Sequence, residues 1–301
     1  MPAPIAFVDP LPITGAMVTA SSVPEDDYAA WSSGATYADA ARVVYAHNVY
    51  ESLQGSNLNH TPDEAGSAWW SLVGPTNRMR CFDGRNSSQT AQANDINYTL
   101  EPVAAVSDLA VLNVTGALEL HVSIEHPTYG TLYDNTVEMT SLPALEGYWE
   151  WCFGERTAAS VAVLRDLPGI PGCTIQIDLT GTTELAVGVI LLGQGKEIGM
   201  GVLAGARVGI TDYSRTEAND WGEVVLVERA FAKRAQFDFP IEAALVDEAY
   251  EYFTAMRAKP LLVIGSRQYG ATVIFGFIKE FEVLIAYASH SECSLSVQGL
   301  T

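Results

Sequence analysis

Positive charge is scarce in this sequence: 16 Lys and Arg stand against 36 Asp and Glu over 301 residues, a formal net charge of −20. Such a surface repels duplex DNA, because protein–DNA affinity rests on Lys and Arg displacing the counterions of phosphates. It also offers no polybasic anchor for anionic lipid. No Lys or Arg precedes Arg42, and Pro2, Pro4, Pro10 and Pro12 interrupt any apolar stretch at the start, so no secretory signal is read there. Long hydrophobic runs are missing too. The longest, Leu185 to Gly193, falls far short of the roughly 20 residues that span a bilayer, so a soluble chain without membrane insertion is expected. Cysteine is sparse: Cys81, Cys152, Cys173 and Cys293 form no CxxC pair, which reads as buried thiols in a reducing compartment rather than a disulfide framework.

Catalytic patterns are absent as well. His47, His60, His121, His126 and His290 show no HExxH or other ligand spacing, so no metal is expected; His121 and His126 read as strand and turn residues. There is no GxSxG elbow, no Walker loop and no strand followed by GxGxxG. Gly193-Gln194-Gly195 and Gly199-Met200-Gly201 read as a glycine-rich link between β domains, since no helix follows to offer its N-terminus to a phosphate. Glu25-Asp26-Asp27 could cap a helix or hold a cation, with a solvated acidic loop as the default. A glycan hydrolase ranks last among the functions considered, because no acid/base pair stands out in so acidic a chain. No catalytic residue, cofactor or enzymatic activity is expected.

What the sequence does have is apolar content for packed cores, 48% against 17% charged. The acid excess runs through the whole chain: residues 1–77 carry eight acids and one base, 78–204 fifteen and six, and 205–301 thirteen and nine. It is a surface property of every part and not an appended tail. Residues 1–27, Pro-rich and then small and polar, read as an extended N-terminal arm that orders on a partner. Residues 28–77 gather Trp31, Tyr37, Tyr45, Tyr50, Trp69 and Trp70 between glycines, with Arg42 to Tyr45 and Asn48 to Leu53 as short strands: a small aromatic β module.

From residue 78 to about 204 the pattern alternates, as in Leu118 to Glu125 and Thr174 to Leu179, which predicts antiparallel strands with one buried face. Leu185 to Leu192 suits a strand covered on both faces. A jelly-roll-like β-sandwich follows. Residues 205–301 predict strands at Val208–Tyr213, Glu223–Phe231 and Ala235–Phe239, with a turn-rich stretch at Ser214–Gly222. One amphipathic helix over 241–257 has Ala244, Leu245, Ala249, Tyr252, Phe253 and Met256 on its apolar face and is stopped by Pro260. Four further strands follow, at Leu261–Ile264, Thr272–Ile278, Phe281–Tyr287 and Ser294–Val297. The fold class is therefore mainly β, closing with a C-terminal β-sandwich or tube-like domain and one flanking helix. Arg229, Lys233 and Arg234 form the one basic cluster, expected to meet a neighbour's acidic surface.

The aromatic module carries the chemical signal. Trp and Tyr faces bind sugar rings because the axial CH groups of a pyranose complement an electron-rich π face. Trp31, Tyr37, Tyr50, Trp69 and Trp70 are the candidate ligand-binding residues; the competing reading is that a domain of some fifty residues needs them as its core, with Trp31 and Tyr50 as the central pair. The run Ala30-Trp31-Ser32-Ser33-Gly34-Ala35-Thr36-Tyr37, with Arg42-Val43-Val44-Tyr45, Val49-Tyr50-Glu51-Ser52-Leu53, Thr61-Pro62 and Trp69-Trp70, resembles the small chitin-binding type of carbohydrate-binding module. It departs from that family's Tyr-x-x-Gly-Asp-x-Val turn at Ala38 to Ala41.

Trp70 to Arg78 followed by Cys81-Phe82-Asp83-Gly84 resembles the way phage tail proteins join this module to a galactose-binding-like sandwich. Ala255 to Pro260, Ile264-Gly265-Ser266, Phe275 to Lys279 and Cys293 to Thr301 are similar to the closing segment of tailed-phage tail-tip proteins. The resemblance implies a structural virion protein of a tail tip or baseplate, of distal-tail type. It would be made in the host cytoplasm, self-associate into a ring through residues 205–301, contact other tail proteins and display a module for host surface glycan. A carbohydrate-binding host-recognition adhesin is the alternative.

Overall fold

The computed structural model describes residues 4–141, 148–149, 157–203, 206–218, 221, 224–266, 269–285 and 289–300; Cys152 lies outside them. The chain is mainly β and antiparallel. It divides into two compact units, residues 12–191, and residues 1–11 together with 192–301.

In the second unit the ladder runs from the end of strand Thr174–Ile198 through Ile5–Pro10, Leu261–Ile264, Val273–Leu284, His290–Gly299 and Phe231–Glu242 to Arg207–Asp212. Alternation supplies its core: Phe237, Phe239 and Ile241 from one strand and Cys293, Leu295 and Val297 from the next are buried together. The predicted strands 272–278 and 281–287 merge into one strand, Val273–Leu284, whose register shifts between Ile278 and Glu280; residues 286 and 287 lie outside the described residues. Within the stretch expected to be a turn, Arg215–Ala218 pairs with Val224–Val227.

The predicted helix is shorter than its periodicity, at Val246–Ala255, because Ala243–Leu245 form a 3-10 turn that swings Ala244 and Leu245 into solvent. Ala249 and Phe253 are buried, and Phe7 meets the Phe253 ring edge-on at 5.1 Å. Burying a phenylalanine in this way stabilises by roughly 1.5–3 kcal/mol. Lys196 Nζ bonds Glu248 Oε1 at 2.8 Å and lies 4.9 Å above the Tyr252 ring, fastening the outer face of the helix.

The prolines near the N-terminus suggest an arm, but the apolar residues that follow Pro4 form the middle of a sheet. Ile5, Ala6, Phe7 and Val8 are buried, with Phe7 opposite Lys196 on one side and Val263 on the other. A continuous apolar tetrapeptide has no period of its own, and its partners lie far away in the chain. Gly193-Gln194-Gly195, which reads as a link, is strand in register with Val8 to Pro10. A side chain at Gly193 would strike the Asp9 carbonyl oxygen and Val8, so only glycine allows the two backbones to approach.

In the unit of residues 12–191, strands Asp108–His126 and Thr174–Ile198 are neighbours. Val161–Leu164 pairs with Leu109–Leu112, Gly130–Glu138 with Glu119–His126, and Asp95–Leu100 with Ile175–Thr180 and Val18–Ser21. Ile175, Ile177 and Leu179 alternate inward, and Leu185–Leu192 is buried throughout, both as expected. The Arg165 guanidinium pairs with Asp108 at 2.7 Å, with Asp108 buried and the arginine side chain 10% exposed.

Candidate functional site

The aromatic module is a three-stranded sheet, Arg42–Tyr45, Asn48–Ser52 and Trp70–Pro75, with a two-stranded addition, Thr36–Tyr37 and Asn57–Leu58. Its first hairpin turns through Ala46 and His47, whose φ angles are 46° and 63°. A two-residue turn of type I′ needs φ > 0 at both positions, and Asn-Gly is its usual occupant. Here neighbours hold the conformation. Glu25 takes the His47 ring nitrogen at 2.8 Å and a hydrogen bond from the Thr76 hydroxyl at 2.8 Å, while Thr76 N–H donates to the His47 carbonyl at 3.0 Å. Gly15 leaves the room the imidazole needs. Burial alone would raise the Glu25 carboxyl, but the His47 and Thr76 hydrogen bonds more than offset it and hold the group below its ordinary value.

Asp27, from the same acidic tripeptide, accepts from Asn77 N–H at 3.0 Å and from the Arg80 guanidinium at 3.1 Å, leading into the 3-10 turn Asn77–Phe82. Glu25 and Asp27, at the start of the module, are thus fastened to residues 76–80 at its end. Among the described residues no group of His, Cys, Asp and Glu is arranged to hold a metal.

All five predicted ligand residues fall in one cluster, in unequal positions. Tyr50 and Trp70 are buried with Val43, and Trp31, Tyr37, Tyr45 and Trp69 pack around them half-buried. The core pair is therefore Tyr50 with Trp70, not Tyr50 with Trp31. The Trp70 indole N–H donates to the His60 carbonyl at 2.8 Å, satisfying its polar edge inside. Tyr37 meets Trp70 edge-on at 5.2 Å, and its hydroxyl accepts from Ser32 N–H at 2.7 Å. Trp31 stands edge-on to Tyr45 at 5.4 Å.

Trp69 lies flat against the imidazole of His60, centroids 4.0 Å apart and planes within 10°. His60 is the member that sequence reasoning missed, since nothing in its spacing marks it. Asn57, buried beneath, donates to the Ser52 hydroxyl at 3.0 Å and the Trp69 carbonyl at 3.3 Å, which sets the loop carrying this pair. The half-buried rings of the cluster are therefore Trp69, stacked on His60, with Trp31, Tyr37 and Tyr45, and Leu53, Leu58 and Leu72 of the module are exposed.

The turn where the module departs from the chitin-binding pattern is also visible. Ala40 stands where that pattern has glycine, and it takes φ 59°, with its N–H bonded to the Ser52 carbonyl at 2.8 Å. The left-handed geometry survives the alanine.

Elsewhere, His121 sits on a strand between two carboxylates, Asp134 at 3.0 Å and Asp178 at 3.4 Å; the Asp134 bond first, and Asp178 with it, raise the imidazole pKa against the effect of burial. His126 takes the Thr128 N–H at 3.0 Å in the following turn. Arg229 and Arg234 are exposed and Lys233 half-exposed, without an ion pair among the described residues. No family model matches the chain, and no curated protein matches it.

Proposed function

We propose that the chain is a structural virion protein of a tailed-bacteriophage tail tip or baseplate, of distal-tail type. In this reading it self-associates into a ring, meets other tail proteins and carries the aromatic module as a display element for host glycan; it is no enzyme. The observation that supports it most is the unfinished edge of the unit formed by residues 1–11 and 192–301. The terminal strand Arg207–Asp212 exposes Val208 and Ile210, a hazard for a chain that works alone and a resource for one that pairs with neighbours. The sequence resemblance to tail-tip proteins points the same way. The pervasive negative charge suits a particle through which a polyanion passes, since attraction would retard the DNA. Native mass spectrometry with negative-stain imaging of the purified chain tests this: closed rings of one size are expected, and a strict monomer at every concentration, alone and with tail partners, sinks the reading.

The second reading, a carbohydrate-binding adhesin, is favoured by the Trp69–His60 stack, a flat half-exposed aromatic face with Trp31 and Tyr37 in the same cluster. A chitin pull-down and glycan array comparing the chain with Trp69→Ala tests it. Retention by the parent and loss in the variant are expected, and no retention by either removes the adhesin.

A further inference from the structure

The inward face of strand Phe231–Glu242 continues past the core it serves. Ala235, Phe237, Phe239 and Ile241 on that face are buried, but two and four residues before Ala235 come Lys233 and Phe231, with Phe231 53% exposed. On the terminal strand, Asp212 pairs with Phe231, Ile210 with Lys233 and Val208 with Ala235; Ile210 and Val208 are 61% and 43% exposed. Past the end of the ladder Tyr213 N–H donates to the Ala230 carbonyl at 3.3 Å, and a separate two-stranded sheet, Arg215–Ala218 with Val224–Val227, leaves Leu226 75% exposed. The result is an exposed stripe of core parity, apolar at Val208, Ile210 and Phe231, which carries Lys233 at its centre and Asp212 beside Phe231.

The other end of the same strand borders a concave surface. Pro240, Glu242, Ala243 and Ala244, with Met200, Ser289 and His290, line a groove of about 610 Å³ whose polar groups are the Glu242 carboxylate, the Ser289 hydroxyl and the imidazole. Phe231 and Glu242 lie eleven residues apart along an extended strand, roughly 37 Å at about 3.4 Å per residue. The stripe of one molecule therefore cannot reach its own groove.

We infer that the stripe Val208–Ile210–Phe231–Lys233 of one copy seats in the groove Met200–Pro240–Glu242–Ala244 of a second copy, with Lys233 meeting Glu242. This rests on the self-association proposed above and names its two surfaces. The contact is head-to-tail: every copy offers one stripe and one groove, so the chain grows until rotation closes it. Apolar area supplies the affinity, and the single ion pair sets register more than strength.

The test uses two full-length variants, Phe231→Asp to block the stripe and Ala244→Arg to block the groove, followed by native mass spectrometry. Each alone is expected to be monomeric, and an equimolar mixture to give a heterodimer and nothing larger, because only one good stripe and one good groove remain. Variants that assemble like the parent, or a mixture that stays monomeric, overturn the inference while leaving ring formation by another surface intact. A parent that is monomeric throughout removes both. Circular dichroism checks the fold of each variant. Should Phe231→Asp fail to fold, the charge swap carries the test: Lys233→Glu alone is expected to weaken association at least tenfold, and Lys233→Glu with Glu242→Lys to restore it. Absence of rescue by the double variant counts against the pairing.

Discussion

Two regions of this molecule are rich in large apolar side chains, and they use them in opposite ways. In the module of residues 28–77 the rings close on one another: Tyr50 and Trp70 are buried, Tyr37 and Trp31 stand edge-on to neighbours, and the Trp70 N–H finds a carbonyl inside. In residues 207–236, Val208, Ile210, Leu226 and Phe231 stay open. The lesson is that aromatic density marks a small domain's need for a core as readily as it marks a binding face. An aliphatic stripe that continues a core beyond its cover is the stronger sign of a partner.

Trp70→Ala is the sharpest way to break the comparison. It should cost about 3–5 kcal/mol, as large-to-small changes at buried aromatics do, and collapse the near-ultraviolet dichroism of the module. Retained stability would mean that the rings are a surface after all. Ala40→Gly works in the other direction: relieving an alanine at φ 59° should stabilise by about 1 kcal/mol, read from chemical denaturation. A neutral result would show that the turn relaxes out of the left-handed region.

Glu25→Gln probes the anchoring of the His47 turn through pH. Because the folded carboxyl sits below its ordinary value of 4.5, its stabilisation is present above that value and is lost as pH falls through the lowered one. Parent and variant should differ fully at neutral pH and converge on acidification; a gap independent of pH would assign the effect to packing. Smallest of all, Phe231→Asp should leave unfolding of the dilute monomer within about 0.5 kcal/mol of the parent, as at an ordinary exposed position. A large loss there would return Phe231 to the core and erase the contrast between the two regions.

Local pattern was legible where the structure is local. The helix showed in the spacing of Ala249, Tyr252 and Phe253, the doubly covered strand in Leu185–Leu192, and the half-buried one in Ile175, Ile177 and Leu179. The strand Ile5–Pro10 was hidden because its identity depends on Lys196 and Val263, which no short window contains. The cluster of site aromatics was legible because its members fall within some forty residues. Which ring would be buried was not, since that turns on single hydrogen bonds such as Trp70 to the His60 carbonyl.

The pairing of Ile5–Pro10 with the end of Thr174–Ile198 makes residues 12–191 an insert between two adjacent antiparallel strands. Leu11 N–H reaches the Leu192 carbonyl at 2.7 Å, so the chain leaves and re-enters the second unit at neighbouring points. An insert with joined ends can be exchanged without recutting its host. Evolution could then vary residues 12–191 while the unit of residues 1–11 and 192–301 stays unchanged, and an engineer could replace residues 12–191 with a tight turn or a foreign domain at one splice.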